Sequence, residues 1–110
     1  MFLFLGVKID NIEYEVEVIL IDNLDITKSC VRNWWDVGRM LGIPDLTLDG
    51  VKQSEYNREG GSPTKCLLGI LRTSGNVVSL KKIVETVHKL HRHDICKAIF
   101  DVYKSQETVV

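Results

Sequence analysis

The chain is short of cysteine, of proline and of any long apolar run, and each shortage narrows what it can be. Its three cysteines, Cys30, Cys66 and Cys96, are odd in number and lie far apart, with no C-x-x-C pair. That pattern argues against a disulfide framework and fits a reducing compartment, where a free cysteine behaves as a small apolar residue. Two prolines and eight glycines in 110 residues are too few for a linker-rich or disordered chain. No run approaches the ~20 apolar residues of a membrane helix. The apolar opening Met1-Phe-Leu-Phe-Leu5 has no basic lead, ends at Gly6 and runs into Lys8, Asp10 and Glu13 without a small-residue cleavage site. It does not read as a signal peptide, and a cytoplasmic chain is expected. Net charge is only −1, which argues against a whole-domain pull toward nucleic acid or an acidic membrane. No G-x-S-x-G, H-E-x-x-H, P-loop or G-x-G-x-x-G occurs. No enzyme, catalytic residue or cofactor is therefore expected.

What is present suffices for one core. Hydrophobic residues make up 45% of the chain and charged residues 26%. The firmest helical pattern is residues 79–90, where Leu80, Ile83, Val84, Val87 and Leu90 share one face and Ser79 offers an N-cap. After a break at His91-Arg-His93, Asp94 suits a second N-cap, and Ile95, Ile99, Val102 and Tyr103 form the next apolar face. Ser62-Pro63-Thr64 opens another helix, since proline has no helical hydrogen bond to lose in a first turn. Leu67, Ile70 and Leu71 turn inward there, and Gly75 closes it. A shorter helix spans Thr47 to Tyr56, with Leu48 and Val51 inward, before a loop at Gly60-Gly61. Residues 31–41 read as a helix with Val31, Trp34, Val37, Gly38 and Leu41 inward, ended by Gly42 and Pro44. The early stretch IEYEVEVIL alternates apolar and acidic residues, as a strand does, although Ile12, Val16, Ile19 and Leu20 also fit a helix. Helices this short are marginal alone and must pack on one another, so a compact antiparallel helical bundle is expected.

The series Trp34-x-x-Val37-Gly38-x-x-Leu41-Gly42 resembles the second-helix signature of death domains, with Val37 and Gly38 in place of the usual leucine and alanine. The order downstream is similar: a short third helix, the Ser62-Pro-Thr opening, the Leu71-Arg-Thr-Ser-Gly75-Asn loop, then Leu80, Val84, Val87 and Leu90 on helix five. The part from Ser62 onward is similar to the death domains of netrin receptors and NF-κB precursors. The resemblance covers roughly residues 18–104. It implies an all-α, six-helix bundle over residues 10–105, with helix one between Asp10 and Leu24, residues 1–9 as an arm or remnant of a preceding region, and residues 106–110 as a tail. It implies homotypic assembly with other death-domain proteins, further copies of this chain included, in apoptotic or NF-κB-type signalling. Nucleic acid and direct membrane insertion are not among the expected partners.

Charge is divided along the chain: residues 1–60 hold 11 Asp/Glu and 6 Lys/Arg (−5), residues 61–110 hold 4 and 8 (+4). Copies with one acidic and one basic side attract each other. The basic candidates are Lys65, Arg72, Lys81, Lys82, Lys89 and Arg92. The acidic ones are Asp36, Asp45, Asp49, Glu55 and Glu59, with Arg39 and Trp35 beside them. Trp34 takes the core slot. Trp35 points about 100° away on a helix, to the flank, where an exposed tryptophan would anchor a partner. The plainer reading of each charge is a solvated surface residue, and of Trp35 partial burial. Two rival functions remain. A helix-turn-helix-like nucleic-acid binder is opposed by the acidic first half. A zinc module on His88, His91, His93 and Cys96 is opposed by the helix, break and helix start already read from Ser79 to Cys96, by the distance of the other cysteines and by the lack of a C-x-x-C pair.

Overall fold

The computed structural model describes residues 14–25, 32–73 and 78–107, and for 105–107 the backbone only. The expected arm at 1–9, Cys30, the inward Val31 and the closing Gly75 lie outside the described residues. Six helices and no strand occur among the described residues: α1 (Tyr14–Leu24), α2 (Trp34–Met40), α3 (Asp45–Tyr56), α4 (Pro63–Thr73), α5 (Leu80–Lys89) and α6 (His93–Glu107). The fold is all-helical. α6 runs past residue 105, into the segment expected as a tail. None of these helices is long and apolar enough to cross a membrane.

The alternating stretch around residues 14–20 is helical, not extended. Val16, Leu20 and Leu24 recur at four-residue spacing and all are buried, so helical phase places three anchors in the core. As a strand, the same alternation would need a neighbouring strand to satisfy its backbone, and the described chain has none. α1 lies against α4 and α6; α2 touches α3, α4 and α5; α3 packs on α4, and α5 on α6. The core between them is formed by Val16, Leu20, Leu24, Trp34, Val37, Leu48, Val51, Leu67, Leu68, Leu71, Leu80, Ile83, Val84, Val87, Ile95, Cys96, Ile99 and Tyr103. Leu41 and Leu90 pack half-buried at its edge.

The helix starts explain themselves locally. Asn33 Oδ1 accepts from the Trp35 N–H at 2.9 Å and Asp36 Oδ2 accepts from the Asn33 N–H at 3.1 Å, a reciprocal capping box at α2. Ser79 Oγ accepts from the Lys82 N–H at α5. At α4, Ser62 Oγ accepts from the Lys65 N–H, while Asp25, beyond the end of α1, accepts from the Thr64 N–H at 2.9 Å and from the Ser62 hydroxyl at 2.7 Å. Asp94 does not cap α6. It lies inside the first turn, and the Arg92 carbonyl accepts from the Ile95 and Cys96 N–H groups instead.

Two helix ends share one device. After α2, the Gly42 N–H donates to the Arg39 carbonyl and the Ile43 N–H to the Gly38 carbonyl, with Gly42 at φ +87°. After α5, the His91 N–H donates to the His88 carbonyl and the Arg92 N–H to the Val87 carbonyl, with His91 at φ +62°. Both are Schellman closures, and the second puts histidine where glycine is favoured. Gly38 has its own reason. A Cβ there would stand 2.6 Å from Leu48 Cδ2 and 3.3 Å from Leu67 Cδ1. The missing side chain lets α3 and α4 pack directly on the α2 backbone, which offsets the loss in helix propensity of up to ~1 kcal/mol.

Candidate interaction surface

The charged residues singled out in the sequence divide into those the fold uses and those it leaves outside. Two expected at a partner interface are interior. Arg92 is 7% exposed and lies at the junction of α5 and α6. Its guanidinium makes a bidentate pair with Asp94, Nε to Oδ1 at 3.1 Å and Nη2 to Oδ2 at 2.9 Å. It also donates to the Asn23 carbonyl on α1 at 3.3 Å and to the Arg32 carbonyl just before α2. One side chain thus joins three parts of the fold, a use that arginine's forked donors suit.

Glu55 is 6% exposed. Its carboxylate accepts from the Ser54 hydroxyl at 2.7 Å, from Arg58 at 2.7 Å and from the Ser62 N–H at 3.2 Å. The Ser54 hydrogen bond, followed by the Ser62 N–H and Arg58, holds its carboxyl below the usual carboxylate range against the opposing effect of burial. It therefore fastens the end of α3 to the start of α4. Two further candidates are partly used in the same way. Asp36 is the capping-box carboxylate and pairs with Arg32 at 3.4 Å, and Arg72 reaches Glu17 on α1 at 3.7 Å.

The remaining candidates are outside. Lys81, Lys82 and Lys89 are exposed on α5, opposite the buried Leu80, Ile83, Val84 and Val87, and none is ion-paired among the described residues. Lys65 is exposed on α4. Asp49 and Glu59 are exposed, and Arg39 pairs with Asp45 at 3.3 Å across the α2–α3 corner. Beside that corner stand residues the sequence reading did not single out: Leu46, 84% exposed, and Met40, also exposed. Leu46 is two residues before the buried Leu48, about 200° around the helix, so helical phase alone points it outward.

The aromatic residues form a second feature. Trp34 is buried, and its indole N–H donates to the Tyr56 hydroxyl at 3.1 Å. Trp35 is half-buried, its ring edge-on to Trp34 at 5.6 Å between centroids, and Tyr56 meets Trp34 edge-on at 6.3 Å. With Asn33 and Lys52 these residues line a groove of about 380 Å³.

The histidine cluster is assembled only in part. The His93 ring stands 4.9 Å from that of His88 and 6.2 Å from that of His91, between centroids. Cys96 is turned inward, its thiol near the Val84 carbonyl at 3.7 Å. Among the described residues no three His, Cys, Asp or Glu side chains converge to hold a metal ion. Burial pushes the Cys96 and Cys66 thiols up, helped by the Asp94 and Glu55 charges respectively, so neither presents a ready thiolate near neutral pH. No protein-family model, no curated protein and no solved structure matches the chain.

Proposed function

We propose that this chain is a cytoplasmic protein-interaction module of the death-domain type, arranged as an antiparallel six-helix bundle. It assembles with copies of itself or with other death-domain proteins in signal transduction, without covalent chemistry. The observation that carries this reading is the surface left over once the fold has taken its share. The outer positions of α5 keep Lys81, Lys82 and Lys89 without an ion pair among the described residues, and the α2–α3 corner holds the exposed Leu46 between Asp45 and Asp49. A basic face and a different, apolar-centred acidic corner on one chain favour head-to-tail contact, which propagates when its rotation does not close a ring. Leu46 supplies the apolar centre and the carboxylates a charged rim, the usual division of labour at an interface.

Light scattering across protein concentration and ionic strength tests this. Assemblies that weaken as salt rises are expected, because contacts between exposed charges are screened within a Debye length of about 10 Å at 0.1 M salt. The K81E/K82E double variant and the L46E variant should each stay monomeric and folded. Mixed together, they should not form filaments. A monomer at every concentration and salt would refute self-assembly as the primary activity.

A further inference from the structure

Both tryptophans of the chain line one groove, and the chemistry of that groove is one-sided. The buried Trp34, the half-buried Trp35 and the exposed Tyr56 line it together with Asn33 and Lys52. Among the described lining residues none is a carboxylate, and Lys52 alone is charged. Lys52 is exposed and in no ion pair among the described residues. The Asn33 side-chain oxygen is occupied by the Trp35 N–H. The Tyr56 oxygen already accepts from Trp34, which leaves its own proton to donate outward. The groove therefore offers a cation and a hydroxyl donor between aromatic faces. Its volume of about 380 Å³ is near the small end of ligand sites, ~300–1,000 Å³, so it admits one or two side chains and not a folded surface.

We infer that this groove docks a short extended segment of a partner protein in which an acidic residue stands beside an aliphatic one. The aliphatic side chain enters between Trp35 and Tyr56. The carboxylate pairs with Lys52 and accepts a hydrogen bond from the Tyr56 hydroxyl. Charge complementarity selects the acidic partner, and the flat aromatic walls select its apolar neighbour. A single-stranded nucleic acid would also meet stacking faces and a cation, but its repeating phosphates would run against Asp45 and Asp49 on the same helix as Lys52. A lone carboxylate needs a single cation, which Lys52 supplies, with Asp49 one turn before it on α3. This site is separate from the α5 face and does not require self-assembly.

The two indole N–H signals in a nitrogen–proton correlation spectrum report the groove directly, since the chain has no other tryptophan. The probes are three capped hexapeptides, identical except that leucine is followed by glutamate, glutamine or lysine, and a thymidine octanucleotide, all at low ionic strength. The glutamate peptide should move the Trp35 signal with millimolar affinity. The glutamine peptide should bind up to about fivefold more weakly, the worth of one exposed ion pair. The K52E variant, altered at an exposed position, should lose the glutamate preference and gain the lysine peptide. The inference is overturned if no peptide moves either indole signal at low-millimolar concentration, or if the three peptides act alike. It is equally overturned if K52E leaves the glutamate response unchanged, or if the octanucleotide moves the signals in preference to the glutamate peptide.

Discussion

Replacing Arg92 tests whether it is a structural tie or a surface contact. Its guanidinium serves two backbone carbonyls, of Asn23 and Arg32, and the Asp94 carboxylate. Asp94 is more than half exposed, so its pair with Arg92 contributes no more than about 1 kcal/mol. The carbonyls decide the magnitude, because each hydrogen bond from a charged donor is worth about 1.5–3 kcal/mol. Arg92→Ala should therefore lower unfolding stability by about 3–4 kcal/mol, within the range for breaking a buried charged network. Arg92→Met, which keeps the aliphatic stem, should cost nearly as much. Arg92→Lys, with a single point of donation, should fall between. Asp94→Asn should cost less than about 1 kcal/mol. Urea unfolding followed by tryptophan fluorescence gives all four values. For a domain of this size the alanine variant should also melt at least about 12 °C lower. If Arg92→Ala unfolds like the parent, or Asp94→Asn costs as much as Arg92→Ala, then the carbonyl bridge is not what holds these elements.

Four other substitutions follow from particular contacts. Glu55 has a folded-state pKa below its unfolded one, so its contribution is complete above the unfolded value near 4.5 and disappears as pH falls through the folded value. Glu55→Gln should therefore flatten the loss of stability as pH falls below about 4.5 in urea titrations at stepped pH, and an unchanged slope would remove Glu55 as a contributor. His91, at φ +62°, occupies a glycine position, so His91→Gly should raise stability by about 0.5–1 kcal/mol. Gly42→Ala, at φ +87°, should lower it by about 1 kcal/mol, and equal signs for the two would contradict the shared closure. The Thr64 hydroxyl is buried without a hydrogen-bond partner among the described residues. Thr64→Val should stabilise by about 1 kcal/mol in the same assay, and destabilisation by that amount would show the hydroxyl to be satisfied.

Helix existence was legible where apolar phase and a cap agree. Leu80, Ile83, Val84 and Val87 behind Ser79 are such a case, and α5 starts where that pattern places it. The start of α2 is a counter-case: the helix was expected from residue 31, whereas Asn33 caps it and α2 begins at Trp34. α1 was ambiguous for a physical reason. Glu15 and Glu17 alternate with Tyr14, Val16 and Val18, and a two-residue period and a helical period both fit so short a window. Packing of Val16, Leu20 and Leu24 against α4 and α6 resolves it, and that information lies outside the segment. Likewise the meeting of Trp34 with Tyr56 joins residues 22 apart, so no local pattern could announce the groove. The role of Gly38 was hidden for the same reason, since the side chains that need its open space come from α3 and α4.

Counting charges overstates an interface, because a fold consumes charged residues at its own joints. Glu55 shows the error and its remedy. It stands four residues after Val51 and seven after Leu48, on the inward face of α3, so phase alone argues against treating it as surface. Arg92 gives no such signal. It falls between two helices, where no periodicity applies, and its partners come from the end of α1 and the approach to α2. Asp36 is used at a cap, Glu17 and Arg72 at a helix crossing. What survives this subtraction is smaller and less symmetrical than the −5 and +4 halves of the chain imply. The basic side survives on α5, because its lysines sit out of phase with the core. Of the acidic candidates only Asp45, Asp49 and Glu59 remain exposed, with Asp45 already shared with Arg39. A contact between such unequal faces cannot rest on charge alone. It needs the exposed Leu46 at its centre, so L46E should impair assembly at least as strongly as K81E/K82E, and salt alone should weaken assembly without matching the leucine substitution.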